Sequence, residues 1–235
     1  MPIRDELIAR TIQQIAAMLA RLVTDRTQQE ITTPEIAGAE QELDSLYLAN
    51  LGTTRSLIHR LGTEDLLDVL RSAGTVHAER AYVLGALLST EAAIVAAYAG
   101  AGSADAYHMR SSALDILLEA GAANLGEPDL QERVDQLVAH VPKTDWPVER
   151  WGRLLRYEAQ RGEHSEAEDA LFTWLENAGT AKQRLLVADA ANDFYAELEK
   201  LEDEDLAKGG FSREEIGEGR ADFAEHFAEL FAGES

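Results

Sequence analysis

Apolar residues recur at three- and four-residue steps along most of this chain, the spacing of buried helix faces. Ile8, Ile12, Ile15, Leu19 and Leu22 form the first stripe, a short heptad seam that predicts a helix over residues 3–23. After a polar link, Thr32 or Thr33 caps a second helix, with Pro34 in its first turn and Glu35 placed for a capping box. Ile36, Ala39, Leu43, Leu46 and Tyr47 form its inner face, and Gly52 stops it. A short helix over residues 55–61 ends at Gly62, and Thr63 caps another over residues 64–73 that ends at Gly74. Residues 75–99 read as one long Ala-rich helix. Ser103 caps its partner, in which the small residues Ala106 and Ala113 share a face. Pro128 opens a linking helix that runs to His140.

The clearest segment is WPVERWGRLLRYEAQRGEHSEAEDALFTWLENAG, residues 146–179, with Thr144 or Asp145 as its cap. Trp151, Leu154, Leu155 and Glu158 mark one helix, and Ala167, Ala170, Leu171, Trp174 and Leu175 mark the next. The turn between them contains Gly162. The order Trp151, Leu154, Gly162, Ala167 resembles the tetratricopeptide pattern, in which a small residue lets the second helix lie close to the first. Leu155 and Glu158 depart from it, standing where the pattern has a small and an aromatic residue. Residues 81–121 resemble a degenerate copy. Thr180 and Gln183 form a capping box for residues 181–201, with Leu185, Leu186, Ala190, Phe194 and Leu198 expected inward. The run EKLEDEDLAKGG breaks at Gly209 and Gly210. Ser212 and Glu215 cap a last helix carrying Ile216, Phe223, Phe227 and Leu230, which closes a third, irregular hairpin or acts as a terminal cap.

The expected fold is all-α and α-solenoid-like. Tetratricopeptide-like helical hairpins occupy residues 75–235, an N-terminal helical subdomain occupies 1–74, and the whole of 1–235 forms a single helical domain. No alternating run of β-branched or aromatic residues predicts a sheet. Apolar residues make up 46% of the chain, enough for a core, while aromatics are only 6%.

Net charge changes the picture of partners. At −22, with 13 acids against 4 bases in residues 197–235, the field repels nucleic acid and anionic membranes. A charge-steered protein or peptide partner is therefore expected to be basic. The absence of cysteine excludes disulfides, thiol catalysis and cysteine-ligated zinc. MPIRDELIAR has acids where a secretory leader is apolar, and no apolar run approaches a membrane span. The expected location is the cytoplasm, and the excess of Arg over Lys points to a GC-rich bacterial genome.

Four segments, IRDELIARTIQQIAAMLARL, LGTEDLLDVL, RYEAQRGEHSEAEDALFTWLE and LAKGGFSREEIGEG, stand in the order of an uncharacterised bacterial family. The chain resembles that domain-of-unknown-function family, whose members are described as tetratricopeptide-like, over essentially its full length. The resemblance implies a helical-repeat fold and a binding role, and it transfers no catalytic residue.

Candidate chemistry is thin. No HExxH occurs, and the one Asp105-x-x-His108 has no second copy to complete a di-iron set. Asp222, His226 and Glu229 share one helical face, which reads first as a solvated surface. The Glu163-His164-Ser165-Glu166 segment reads as turn and cap chemistry. Gly100–Ser103 lacks the strand and lysine of a phosphate loop. No catalytic, cofactor or metal site is assigned. The groove candidates are instead Glu91, Val95 and Tyr98 of the first hairpin, and Gly152, Arg156 and Gln160 of the second. Arg153, Arg156 and Arg161 around Tyr157 form a basic, aromatic spot suited to a carboxylate or a peptide C-terminus. The expected role is a protein-interaction or scaffold module that accepts a peptide or helix between hairpins, without catalysis. Two alternatives stand beside it: a small-molecule or metal-binding sensor or enzyme with a pocket between subdomains, and a structural homodimer joined through the first helix.

Overall fold

The computed structural model describes residues 33–72, 74–100, 102–123, 126–127 and 129–232. The helix expected over residues 3–23, the Thr32 cap and Pro128 lie outside the described residues. The chain divides into a unit ending at Lys143 and a unit beginning at Thr144. The internal boundary expected from the sequence lies after residue 74. The observed boundary falls later, because the helices before residue 74 pack against the first long hairpin.

Among the described residues, the regular elements are helices apart from one very short hairpin. The first unit contains α1 (Thr33–Leu51), α2 (Arg55–Ile58) and α3 (Thr63–Leu70). Ala39, Leu43, Leu46 and Tyr47 are buried on α1, the stripe expected from spacing, and α1 ends at Gly52 with φ 68°. Thr63 does not cap α3. Its hydroxyl instead hydrogen-bonds Ser112 at 2.9 Å, and the Gly62 N–H donates to Asp65 Oδ2 at 3.3 Å.

After Leu70 the helix stops three residues earlier than expected. Arg71–Ser72 (β1) pairs antiparallel with Thr75–Val76 (β2), around Gly74 at φ 83°. A positive φ is natural for glycine, and the β-branched Thr75 and Val76 favour extended backbone, so turn chemistry overrides the helical pattern here. The next helix, α4, therefore spans Ala78–Ala99 rather than starting at residue 75.

By length and composition α4 could cross a membrane, which corrects the reading that no such run exists. It is also buried without a break from Ala81 to Leu88, the signature of a core helix surrounded by neighbours. Its main neighbour is α5 (Ala104–Ala122), whose Ser103 cap accepts the Ala106 N–H at 3.4 Å. The two helices approach closely at Gly85, where a Cβ would lie 2.6 Å from Leu117 Cδ2. Ala106 and Ala113 are fully buried, as their spacing implied. α6 (Leu130–His140) packs on α5 and presents Leu130, Val134 and Leu137 inward.

The second unit opens with α7 (Val148–Arg161) and α8 (His164–Asn177), joined at Gly162 in the left-handed region with φ 79°. Ala167, Ala170, Leu171, Trp174 and Leu175 are all buried. Gly152 lies against Trp174, so that a Cβ there would sit 2.5 Å from the indole. α9 (Ala181–Leu198) is capped by Thr180, which accepts the Gln183 N–H at 3.2 Å. Its inner face is Arg184, Val187, Ala191, Phe194, Tyr195 and Leu198, whereas Leu185 and Leu186 point outward. The expected stripe is therefore rotated. Arg184 takes an inward place because its Nε donates to Ala178 O at 3.0 Å and its guanidinium to Leu230 O at 2.9 Å. α10 (Asp203–Lys208) and α11 (Arg213–Ala232) complete the unit, with Ser212 accepting the Glu215 N–H at 3.3 Å.

Candidate functional site

In the first unit a single carboxylate gathers the polar side chains. Glu91 lies on the apolar helix α4, and its side chain is 5% exposed. An ionised carboxylate in such surroundings needs donors on its oxygens. Tyr47 of α1 donates to Oε2 at 3.0 Å, and His59, just beyond α2, meets Oε1 through Nε2 at 2.9 Å. Arg55 approaches the same Oε1 at 3.5 Å and bridges onward to Asp44 at 3.2 Å and Glu40 at 3.7 Å. Arg55 and His59 are four residues apart on one helical turn, so a single short segment aims both at Glu91.

Burial, followed by the charge of Glu91, pushes the Tyr47 hydroxyl well above its ordinary pKa, so Tyr47 remains a donor. Burial and then the charge of Glu40 also raise Tyr98. The Thr90 hydroxyl is buried and has no hydrogen-bond partner among the described residues. Chemically, the cluster surrounds a carboxylate with donors and orients a partly exposed imidazole through one ring nitrogen. Among the described residues, no group of three or more His, Asp or Glu side chains is placed to hold a metal.

Side-chain burial separates the groove candidates. Glu91 and Val95 are buried, so neither lines an open surface. Tyr98, in the last turn of α4, is 42% exposed. In the second unit Gly152 packs beneath Trp174, and Arg153 and Tyr157 are buried, which corrects their placement on an open groove. Arg156 and Gln160 are exposed and lie one turn apart. Arg161 pairs with Glu158 at 2.6 Å and stacks over the Tyr157 ring at 5.2 Å. The basic, aromatic spot is therefore divided: its aromatic body is in the core, and Arg156 is on the surface.

A family model described as a family of unknown function, DUF6483, matches residues 3–228. The chain belongs to this family. No curated protein and no solved structure matches it. The DUF6483 match runs through both units, so the Glu91 cluster and the α7 face both fall within the family's extent.

The sequence reading missed Tyr47, Arg55 and His59 as a set. A signal was present in the Arg55–His59 spacing beside the charged interruption of α4 at Glu91, but nothing in the chain pairs residues so far apart. The Glu163–Glu166 segment also has a role that its spacing did not disclose. The Ser165 hydroxyl donates to the Gly210 carbonyl at 3.0 Å, and its backbone N–H donates to the Gly209 carbonyl at 3.2 Å. The glycine pair is thus a docking point on the start of α8, in addition to a helix break. A Cβ at Gly209 would sit 2.3 Å from Gly162 O. His164 is buried there, and burial lowers its pKa. His226 approaches Glu229 at 3.9 Å and lies beside Phe172, with the two rings tilted at 42°.

Proposed function

We propose that the chain is a cytoplasmic, bacterial protein-interaction or scaffold module of tetratricopeptide-like helical hairpins, with no chemistry of its own. Two pairs of successive helices support the repeat reading: α4 with α5, and α7 with α8. Each pair meets at a glycine under a large side chain, Gly85 under Leu117 and Gly152 under Trp174. The observation that carries the binding role is the surface of α7. Arg150, Trp151, Gly152, Arg153, Leu155 and Tyr157 are buried, while Glu149, Arg156 and Gln160 share one narrow exposed stripe. A rigid helix with its other faces engaged is a preorganised contact surface. Net charge of −22 favours a basic protein or peptide over nucleic acid or an anionic membrane. Affinity capture from a lysate of the source organism, at low and at moderate salt, tests the role. Retention of one protein in near-stoichiometric amount supports it, and recovery of the bait alone contradicts it.

The Glu91 cluster favours a second reading, a small-molecule sensor or enzyme. Its side chains come from α1, the α2 segment and α4, where the helices before residue 74 meet the first hairpin. Thermal-shift screening of metabolite pools tests that reading. A stabilising compound whose effect disappears in His59→Ala supports it. A hit retained by that variant places the compound elsewhere.

A further inference from the structure

We infer that the outward face of α9 joins two copies of this chain as an antiparallel pair. Leu185 and Leu186 are 57% and 55% exposed, adjacent large apolar side chains on one helix. Lys182 lies three residues before the pair and Asp189 three residues after it, and both are exposed. Neither makes an ion pair among the described residues. The pattern is self-complementary about the midpoint between the leucines. A two-fold axis at that point sets Leu185 against Leu186 of the second copy and Lys182 against its Asp189, twice over, as an isologous contact requires.

The same register accounts for Asp193, also exposed on this face. It lies about 11 Å from the axis at 1.5 Å of rise per residue. That distance brings it over the N-terminal turn of the partner's α9, where the helix dipole favours a carboxylate. A parallel pairing would put Lys182 on Lys182 and Asp189 on Asp189. An unrelated basic segment would answer Asp189 and Asp193 but would leave Lys182 facing like charge, so the alternating signs favour a second copy.

One helix-on-helix contact sits at the low end of specific interfaces. Each copy also carries −22, a repulsion that salt screens over roughly 8 Å at physiological ionic strength. The pair is therefore reversible and concentration-dependent.

Sedimentation equilibrium of the full chain at moderate salt, over a wide concentration range, tests the inference, with circular dichroism confirming that each variant is folded. The wild type is expected to move from monomer toward dimer. Leu185→Gln with Leu186→Gln should weaken association at least tenfold, as should Lys182→Asp or Asp189→Lys alone, and the two charge reversals together should restore it. The four α9 side chains changed here are on the surface, so these variants should fold. A wild type that stays monomeric overturns the pair. Failure of the double reversal to rescue overturns the antiparallel register. Association that survives loss of both leucines but disappears in Ile12→Lys assigns the dimer to the first helix instead. The inference stands apart from the α7 contact: a chain that captures a partner yet remains monomeric overturns the pair alone.

Discussion

Gly152 shows how closely single residues are constrained in this molecule. A methyl group there would meet three atoms of the Trp174 ring within 3 Å, on a helix and a side chain that are both buried. Gly152→Ala is expected to lower stability by about 1–3 kcal/mol, the usual effect of overpacking, read as a lower urea midpoint. Two carboxylates should respond to pH in opposite senses. Burial raises Glu168, and Asp169, Asp222 and Glu215 add to the effect against the pull of the Tyr195 hydrogen bond at 2.6 Å. A raised folded pKa gives stability that is complete below the unfolded value and is lost as pH rises through the folded one. Glu168→Gln keeps an oxygen for Tyr195 and removes the charge, so its melting temperature should exceed wild type at pH 7, with the gain shrinking toward pH 4. Asp129 behaves conversely. Burial opposes its ionisation, but hydrogen bonds from Tyr82 and Arg133 outweigh burial and lower its pKa. Its contribution is present above the unfolded value and lost as pH falls through the folded one. Asp129→Asn should therefore destabilise at pH 7 and converge on wild type in acid, as followed by melting temperature.

At the scale of elements, caps and glycine stops place several boundaries, and those were legible in the sequence. Thr180 and Ser103 cap as their spacing implied, and Gly52 and Gly162 end helices at positive φ. Thr180→Ala should cost about 1 kcal/mol, measured by urea unfolding of the full chain. The orientation of α9 was less legible. Leu185 and Val187 offer competing stripes, and hydrophobicity alone favoured the leucines. The choice goes the other way because Arg184 is satisfied by carbonyls at Ala178 and Leu230, the second of which is 46 residues away. The Glu91 cluster was hidden for the same reason. A carboxylate on an apolar helix reads as a groove residue until its Tyr47 partner, 44 residues earlier, is known. Val95, Arg153 and Tyr157 were misplaced because helical spacing gives the faces of a helix but not the number of neighbours that cover them.

For the whole molecule, part of the basic charge is closed inside the units, and surface contact is the basis of its proposed activity. Arg150, Arg153 and Arg184 are buried, and Arg55 and Arg161 are paired, so much of the basic charge is committed to the fold. Arg156 is exposed on α7, within an acidic chain. The decisive measurement compares wild type with Arg156→Glu in quantitative affinity capture, after circular dichroism and melting have shown equal folding. The interaction-module reading predicts at least a tenfold loss of the retained partner. Equal retention by both chains, or recovery of the bait alone in each case, would contradict it.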